Sequence, residues 1–481
     1  MTYTEDVATA YAWAALGGRG RLVERVRFEG AGAVLPSRLP VRELARACVG
    51  VSSLAAAELL SLRNGVPVPA VCLDEAAVAT AFVSERHLRI DGRAPASFAP
   101  LSGFWQTSDG WVRTHANYPH HRARLLDALG IADTGPDQAL VGVLAKELAS
   151  RPALEVQETV YAADGLAVAV APAPTPAPGT RPAPARGTGT GTGPAPAPAP
   201  TPDGPALVEA RRAGRSSNRL LTPASVPAQG VRVLDLTRVI AGPVATRTLA
   251  LLGADVLRVD APRLPEDADA HADTGMGKRS TLLDLAAPGD RRVFEGLLRE
   301  ADVVVTGYRP GALDRHGLAP DALLARHPGL IVAQLCAWGW SGPWAGRRGF
   351  DSLVQAGTGV AAIEATADGR PGVLPAQALD HGTGYLLAAA VLRALTDRQA
   401  TGDGRHLRFS LAGTASWLLH GIRPTPVQGH FSRDDPAAWL TETESPYGLL
   451  RHALPPVHYD GAPANWGRAS SHWGSDRPIW A

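Results

Sequence analysis

Short apolar strands alternate with helical segments through the second half of the chain, and this alternation limits the folds that the chain can adopt. Strands are predicted at residues 231–236, 255–260, 280–285, 302–306 and 330–335, and helices at residues 245–252 and 290–300. Strands that alternate with helices are joined by crossover connections, which build mostly parallel sheets. The sequence therefore predicts an α/β fold with a doubly wound, mostly parallel, Rossmann-like sheet. In such sheets, binding sites lie beyond the carboxyl ends of the strands.

A segment of nearly pure Ala, Pro, Thr and Gly divides the chain at residues 171–205. Proline recurs at every second position in residues 172–178 and again in residues 194–202. Such a segment has too few apolar side chains for a core and lacks a backbone donor at each proline, so we expect an extended linker. It separates a region at residues 1–170 from the remainder of the chain.

The first region is less regular and predicts a smaller α+β domain. Helices are expected at residues 41–48, 53–62, 75–82 and 119–129, and a strand at residues 111–115. Three histidines, His115, His120 and His121, lie close together in the sequence. Their spacing matches no metal-binding template and no carboxylate or thiol pattern accompanies them, so we expect helix-start and surface roles and no metal.

Charge and cysteine content narrow the class of function. The chain has 481 residues and a formal net charge of +1, so no strong field favours nucleic acid or an anionic membrane as a partner. Three scattered cysteines, Cys48, Cys72 and Cys336, argue against a disulfide framework. The N-terminus has early acidic residues rather than the pattern of a signal peptide, and no uninterrupted apolar run is long enough to span a bilayer. These observations predict a cytoplasmic protein.

Asp380 is the strongest candidate for a reactive residue. It lies between residues 374–379 and an apolar helical run that begins five residues later, at residues 385–395. Aspartate is a favoured N-cap, and a carboxylate there interacts with the positive end of the helix dipole. We therefore expect Asp380 to cap this helix and to be ionised at neutral pH, as a nucleophile requires. A plain N-cap role is the alternative that the local sequence alone favours.

The order of motifs around Asp380 resembles the family III CoA-transferases, the CaiB/BaiF group. The resemblance covers about residues 231–411. Its segments are residues 231–243, 252–260, 277–285, 301–311, 313–318, 338–343, 349–351, 355–359 and 401–405, with Asp380 in the family's order among them. Each segment alone is weak evidence, whereas the complete series in order is specific.

The resemblance places Asp380 at the family's catalytic aspartate and implies acyl-CoA and a carboxylic acid as substrates, with no metal. The implied reaction moves CoA from an acyl-CoA to an organic acid. It proceeds through an acyl-aspartyl anhydride and an aspartyl-CoA thioester on Asp380, which is covalent nucleophilic catalysis. Backbone N–H groups near Gly382 and Thr383 are the expected support for developing oxyanions.

The resemblance also implies CoA contacts in three loops. Ile240 and Ala241 lie in the loop after the first strand, and Tyr308 and Arg309 lie in the loop that carries Asn-Phe-x-Pro-Gly in the family. Here that loop has Gly307 in place of the asparagine. Arg315 and Arg348 occupy further CoA-contacting positions, where a solvated surface role is the alternative. The full expected set is Ile240, Ala241, Tyr308, Arg309, Arg315 and Arg348.

Two departures from related enzymes bear on the reaction. Racemases of the same group use a histidine before the Asp of the motif, and here that position is Phe350, which carries no proton. Racemisation is therefore disfavoured unless His381 has been recruited. A Gly-Gly-Gly loop of the oxalate-type transferases is also missing, which argues against oxalate or formate. The alternatives to a transferase are an acyl-CoA racemase and a catalytically idle CoA-binding protein.

The resemblance suggests an unusual domain order. Residues 1–170 are similar to a degenerate transferase repeat or to the family's small domain, because residues 100–113 carry its Asp-Gly-Trp strand entry. Residues 225–415 correspond to the catalytic CoA-binding domain, and residues 416–481 to a truncated small-domain tail. The family forms interlocked homodimers, so we expect a homodimer, with a single-chain pseudo-dimer as the alternative.

Overall fold

The computed structural model describes residues 6–30, 32–95, 98–174, 206–215, 220–426 and 436–481. Most of the predicted linker, residues 175–205, lies outside the described residues. Short 3₁₀ helices occur at Gly20–Arg25, Asp314–His316 and Pro436–Trp439, and a π-helical turn at Trp417–Gly421.

The front half contains two groups of elements. The first group comprises α1 (Val7–Ala15), β1 (Val26–Glu29), α2 (Val41–Asn64), β2 (Val71–Asp74), α3 (Glu75–Ala81), α4 (Ser84–His87) and β3 (Arg89–Ile90). The second group comprises β4 (Phe104–Gln106), β5 (Trp111–Thr114), α5 (Pro119–Ala128), α6 (Asp137–Ala149), α7 (Ala153–Ala162) and β6 (Ala167–Ala169). Strands β4, β5 and β6 pair antiparallel and pack on their three helices around a core that includes Val112, Leu125 and Leu144.

The second half contains the large sheet and its helices. In chain order the elements are β7 (Glu209–Arg215), β8 (Arg232–Leu236), α8 (Ala241–Leu251), β9 (Asp255–Asp260), α9 (Ala268–Thr274), β10 (Arg279–Leu282), α10 (Pro288–Glu300), β11 (Val303–Thr306), α11 (Pro320–Arg326), β12 (Ile331–Cys336), α12 (Asp351–Gly357), α13 (Val360–Ile363), α14 (Ala378–Thr401), β13 (Asp403–Ser410), α15 (Leu411–Ser416), β14 (Leu440–Ser445) and β15 (Gly448–Ala453).

The large sheet is mostly parallel, as the sequence predicts. Its strand order is β10-β9-β8-β11-β12-β13-β7, and only β7, at one edge, runs antiparallel to its neighbour. Strand β11 is buried along its whole length, as expected for a parallel strand covered on both faces. The chain builds outward from β8 through β9 and β10, then crosses to β11 on the other side of β8. This reversal places a crevice at the carboxyl ends of β8 and β11.

Helix α14 is the central helix of the fold, because it packs against both α2 and α8. Helix α2 is one continuous helix, although the sequence predicted two shorter ones. Gly50 lies at the predicted break, and a Cβ there would meet Phe28 of β1 at 3.2 Å, so the glycine serves packing rather than a helix end. By length and composition α2 resembles a membrane span, but 89% of its apolar window is buried within the protein.

The C-terminal residues connect the two halves of the chain. Strands β14 and β15 form a three-stranded antiparallel sheet with β3 of the front half. The final segment then runs along the large sheet, where Ser475 forms a β-bridge with Thr281. Trp466 donates a hydrogen bond to the carbonyl of Arg247 at 2.9 Å. The prediction of a truncated small domain at residues 416–481 remains a prediction.

Candidate functional site

A cleft of about 490 Å³ opens at the carboxyl ends of the parallel strands. Its walls include one residue at or next to the carboxyl end of each of the strands β8 to β12. In strand order these are Leu236, Asp260, Leu283, Gly307 and Leu335. Asp380, at the start of α14, lies in the same cleft. The crossover topology therefore brings residues from far apart in the sequence to one site, at the position where such sheets bind ligands.

Asp380 lies in the first turn of α14 and is only 6% exposed. The N-cap of this helix is Gln377, so the prediction that Asp380 caps the helix is wrong. The helix begins earlier because the backbone N–H of Asp380 has a different acceptor, the Oδ2 atom of Asp351, at 2.9 Å. That bond satisfies a first-turn N–H group from outside the helix.

The electrostatic surroundings of Asp380 oppose its ionisation. Burial, followed by the neighbouring charges of Asp351 and Glu85, raises the pKa of Asp380 well above its usual range. The expectation of a carboxylate ionised by the helix dipole is therefore wrong in direction. Desolvation and like charges outweigh a dipole contribution that is typically below about 1 kcal/mol.

Asp351 and Gln355 form a buried network beneath Asp380. The side-chain amide of Gln355 donates to Oδ1 of Asp351 and accepts from the backbone N–H of Leu374 at 2.9 Å. Burial raises the pKa of Asp351 to about 6, against the lowering effect of its hydrogen bonds. Two acidic side chains thus meet at the start of α14, and their titrations are coupled.

The two N–H groups that were expected to support an oxyanion are not free. Because α14 starts at Ala378 and the N–H of His381 donates to the carbonyl of Gln377 at 3.0 Å, Gly382 and Thr383 lie in the second turn. Their N–H groups bond to the preceding helical turn. The predicted placement of the oxyanion donors is therefore wrong.

Basic side chains surround the cleft. The arginines that line it are Arg124, Arg238, Arg263, Arg309, Arg315, Arg347 and Arg348. Arg309 and Arg315 are exposed and form no ion pair with a carboxylate in the described part of the chain. Arg348 pairs with Asp164 at 2.9 Å, and Arg347 with Glu158 at 2.7 Å. Guanidinium groups of this kind suit phosphates.

Five of the six residues expected to contact CoA line the cleft. These are Ala241, Tyr308, Arg309, Arg315 and Arg348. Ile240 is instead the N-cap of α8, and its side chain packs against the hydrophobic core. The preceding residue, Val239, lines the cleft with a φ of 72°, a left-handed conformation that is strained for a β-branched residue.

The front half supplies one wall of the cleft, which sequence reasoning missed. Tyr118, His120, His121 and Arg124 line it. They follow β5, and His120 and His121 lie at the start of α5, as the sequence indicated. His120 is exposed as expected, whereas His121 is buried. The sequence signal for this wall was the pair of histidines that follows the Asp-Gly-Trp strand. Their position facing the strand ends of the second half is a long-range contact, which the sequence pattern does not show.

Aromatic stacking joins the front half to the start of α12. His115 is buried and its ring stacks on Phe350, with the ring centroids 3.8 Å apart. Within the described ranges, no group of three or more His, Cys, Asp or Glu side chains is arranged to hold a metal ion. His381 is not among the residues that line the cleft. Its Nε2 instead lies 3.2 Å from Oε2 of Glu85.

Comparison with known proteins places these residues in a family. Residues 229–444 match CoA-transferase family III. This segment is a family III CoA-transferase domain. It contains Asp380 and the five strands β8 to β12 whose ends form the cleft.

The family III segment has relatives among curated proteins. The chain is 38% identical over 220 residues to a protein of Mycobacterium tuberculosis named "probable fatty acyl-CoA transferase", covering 43% of this chain and 55% of that protein. It is 32% identical over 212 residues to the succinate–glutarate CoA-transferase of Agrobacterium fabrum, covering 40% and 53%. The chain thus spans about half the length of these relatives.

A CAIB/BAIF family protein from Brucella suis is 28% identical, with a TM-score of 0.38, covering 48% of this chain and 66% of that one.

Proposed function

We propose that the protein is a CoA-transferase that moves CoA between an acyl-CoA thioester and an organic acid through a covalent intermediate on Asp380. One observation carries the proposal. Asp380, within the family III segment, shares a single cleft with Arg309 and Arg315, which have no carboxylate partner among the described residues and suit the phosphates of CoA. A buried acidic group facing such a cleft is a candidate nucleophile with a physical basis.

The chemistry follows in balanced steps. A carboxylate oxygen of Asp380 attacks the thioester carbon, the C–S bond breaks, and CoA leaves as a thiolate. The thiolate attacks the aspartyl carbonyl of the resulting anhydride and releases the first acid as a carboxylate. An acceptor carboxylate attacks the carbonyl carbon of the aspartyl-CoA thioester, the C–S bond breaks, and the CoA thiolate leaves as a second anhydride forms. The thiolate then attacks the acceptor's carbonyl, which yields the new acyl-CoA and restores Asp380.

The cleft divides this substrate between two environments. Arg309 and Arg315 suit the phosphates, while Tyr308 and Ala241 offer uncharged surface to the rest of CoA. Arg348 already has a carboxylate partner, so we assign it a weaker contribution than Arg309 and Arg315. Ile240 contributes by packing against the hydrophobic core at the N-cap of α8 rather than by contacting CoA. Phe350, which carries no proton and stacks on His115, disfavours a racemase.

We further propose a Rossmann-like arrangement for the catalytic domain, a cytoplasmic location and a homodimeric assembly. The strand order on both sides of β8 supports the first of these. In one described chain, the front half already reaches the cleft, which supports a site completed within a single chain. Sedimentation at several protein concentrations distinguishes a homodimer from a single-chain pseudo-dimer.

Adduct mapping tests the central proposal. The protein is incubated with a panel of acyl-CoAs, treated with hydroxylamine, and digested for mass spectrometry. We expect modification at Asp380 and transfer of CoA to an added acid. Asp380→Asn, which keeps the side chain's shape, should lose both, whereas the exposed control Asp460→Asn should keep both.

Each other outcome selects an alternative. CoA binding without an adduct or exchange for any donor would support an idle CoA-binding protein. Deuterium incorporation at the α-carbon without CoA exchange would support a racemase.

A further inference from the structure

His121 is a polar group in the cleft that the proposed reaction has not used. It is the third residue of α5, lines the cleft that also contains Asp380, and is 5% exposed. Its Nδ1 is buried and has no hydrogen-bond partner among the residues that the structure describes. A buried polar atom without a partner costs stability, so its retention needs an explanation.

An aromatic contact places His121 beside Phe350 in the cleft. Its ring centroid lies 5.7 Å from that of Phe350, in an edge-on arrangement. Phe350 directly precedes Asp351, whose carboxylate accepts a hydrogen bond from the backbone N–H of Asp380 at 2.9 Å. His121 therefore lines the same cleft as Asp380 and lies beside Phe350, the residue that precedes the partner of the Asp380 backbone.

The imidazole of His121 is uncharged at neutral pH. Burial, then the neighbouring His120, His115, Arg348 and Arg124, lowers the pKa of His121 to about 2. The positive end of α5 acts in the same direction. A neutral imidazole has one N–H group. Since Nδ1 is buried without an acceptor among the described residues, the proton is better placed on Nε2.

Attack on a thioester creates negative charge on the acyl carbonyl oxygen, and such oxyanions need a positioned donor. The N–H groups of Gly382 and Thr383 are occupied within α14. We infer that His121 is a catalytic residue whose Nε2–H donates to the acyl carbonyl oxygen while Asp380 attacks the adjacent carbon. This inference rests on the proposed function and extends it, because it assigns a catalytic group to the front half of the chain.

Two substitutions of His121 separate a donor from a packing role. His121→Phe keeps an aromatic ring without an N–H group, and His121→Gln keeps a side-chain N–H. In single-turnover acylation of Asp380, His121→Phe should be slower by about 100-fold, with CoA affinity within about threefold of wild type. His121→Gln should recover at least about tenfold of that loss, since its amide can donate. The matched control, His327→Gln outside the cleft, should acylate at the wild-type rate.

A second measurement needs no turnover. A CoA ketone, in which a methylene group replaces the thioester sulfur, is labelled with ¹³C at its carbonyl and bound to the protein. Donation from His121 should move the carbonyl resonance downfield in wild type and in His121→Gln, and not in His121→Phe. The wild-type spectrum is informative even if a variant fails to fold.

The outcomes distinguish this inference from the function on which it rests. If wild type acylates Asp380 and His121→Phe does so within threefold of its rate, the role of His121 is wrong and the transferase stands. An absent downfield shift in wild type also rejects the role. If wild type binds the ketone with the shift but never acylates Asp380, the donor is confirmed and the covalent mechanism fails.

Discussion

At the scale of single residues, the pair Asp351 and Asp380 decides how the site responds to pH. Both side chains are buried, and the carboxylate of Asp351 already receives the N–H of Asp380 and the amide of Gln355. Burial and the like charges of Asp351 and Glu85 instead raise the pKa of Asp380. The proton of the pair therefore resides mainly on Asp380, and in the proposed reaction Asp380 must lose this proton before it attacks the thioester.

Replacing Asp351 should change the pH dependence of acylation. In Asp351→Asn the like charge next to Asp380 is gone, so the pKa of Asp380 falls. The acidic limb of the single-turnover rate against pH should move to lower pH by about one unit or more. The remaining carbonyl oxygen can still accept the N–H of Asp380. An unmoved acidic limb would show that Asp351 does not set the protonation of Asp380.

The same substitution should alter stability against pH. The pKa of Asp351 is raised to about 6 in the folded state, above its usual 3.8. The folded state therefore binds more protons in this interval, and the stability contribution present at low pH is lost as pH rises through about 6. Urea unfolding of wild type at pH 4.5 and 7 should show this loss, and Asp351→Asn should show less of it. Asp460→Asn, at an exposed position, should behave like wild type.

At the scale of elements, the contact between α8 and α14 is close enough to require a glycine. A Cβ at Gly384 would lie 2.6 Å from the carbonyl oxygen of Ala241 and 2.9 Å from Cβ of Val244. Backbone atoms cannot yield as flexible side-chain ends do. Gly384→Ala should therefore destabilise the protein by about 1–3 kcal/mol, measured by urea unfolding.

A second glycine provides the control for this prediction. Gly142 lies within α6, is exposed, and a Cβ there would meet nothing within 4 Å. Gly142→Ala should leave stability unchanged or increase it by up to about 1 kcal/mol, through helix propensity alone. If Gly384→Ala were as stable as Gly142→Ala, the close approach of α8 and α14 would be disproved.

The regular elements of the second half could be read from the sequence because their signals are local. The strand predicted at residues 255–260 is β9 without any change of bounds. Strands β8 and β11 begin one residue later than predicted, and β12 is shifted by one residue at each end. Buried parallel strands carry continuous apolar runs between turns, so periodicity and composition suffice. The mostly parallel sheet follows from their alternation with helices.

Features that depend on distant contacts could not be read in this way. The first turn of α14 is bonded by Asp351, which is 29 residues away in the sequence. Asp380 therefore lies inside that turn and is not the N-cap that the local sequence predicted. The packing of Ile240 against the core and the placement of His121 likewise depend on which surfaces meet after folding. A single sequence specifies these residues without showing their partners. The family resemblance therefore assigned Ile240 to CoA binding, and local rules assigned His121 to a helix start or the surface.

At the scale of the whole molecule, the two halves share one core. Buried residues of α1 and α2 belong to the same hydrophobic cluster as α8 and α14. Arg393 of α14 pairs with Glu58 of α2 at 2.5 Å, and both side chains are buried. Strand β15 pairs with β3, which ties the C-terminal residues to the front half. The front half thus shares its core with the family III segment and also forms one wall of the cleft.

This shared core predicts that the covalent connection between the halves is dispensable once the protein has folded. A protease site introduced at residue 190, within the segment rich in Pro, Ala, Gly and Thr, allows cleavage of the folded protein. The two fragments should co-elute as one species and bind CoA with the affinity of the uncut protein, because burial of an apolar interface does not depend on chain continuity. They should separate only in denaturant, and dilution after denaturation should restore binding more slowly than in the uncut protein, since association becomes bimolecular. Spontaneous separation of the fragments in buffer, with CoA binding retained by the second half alone, would show instead that the front half is an accessory domain.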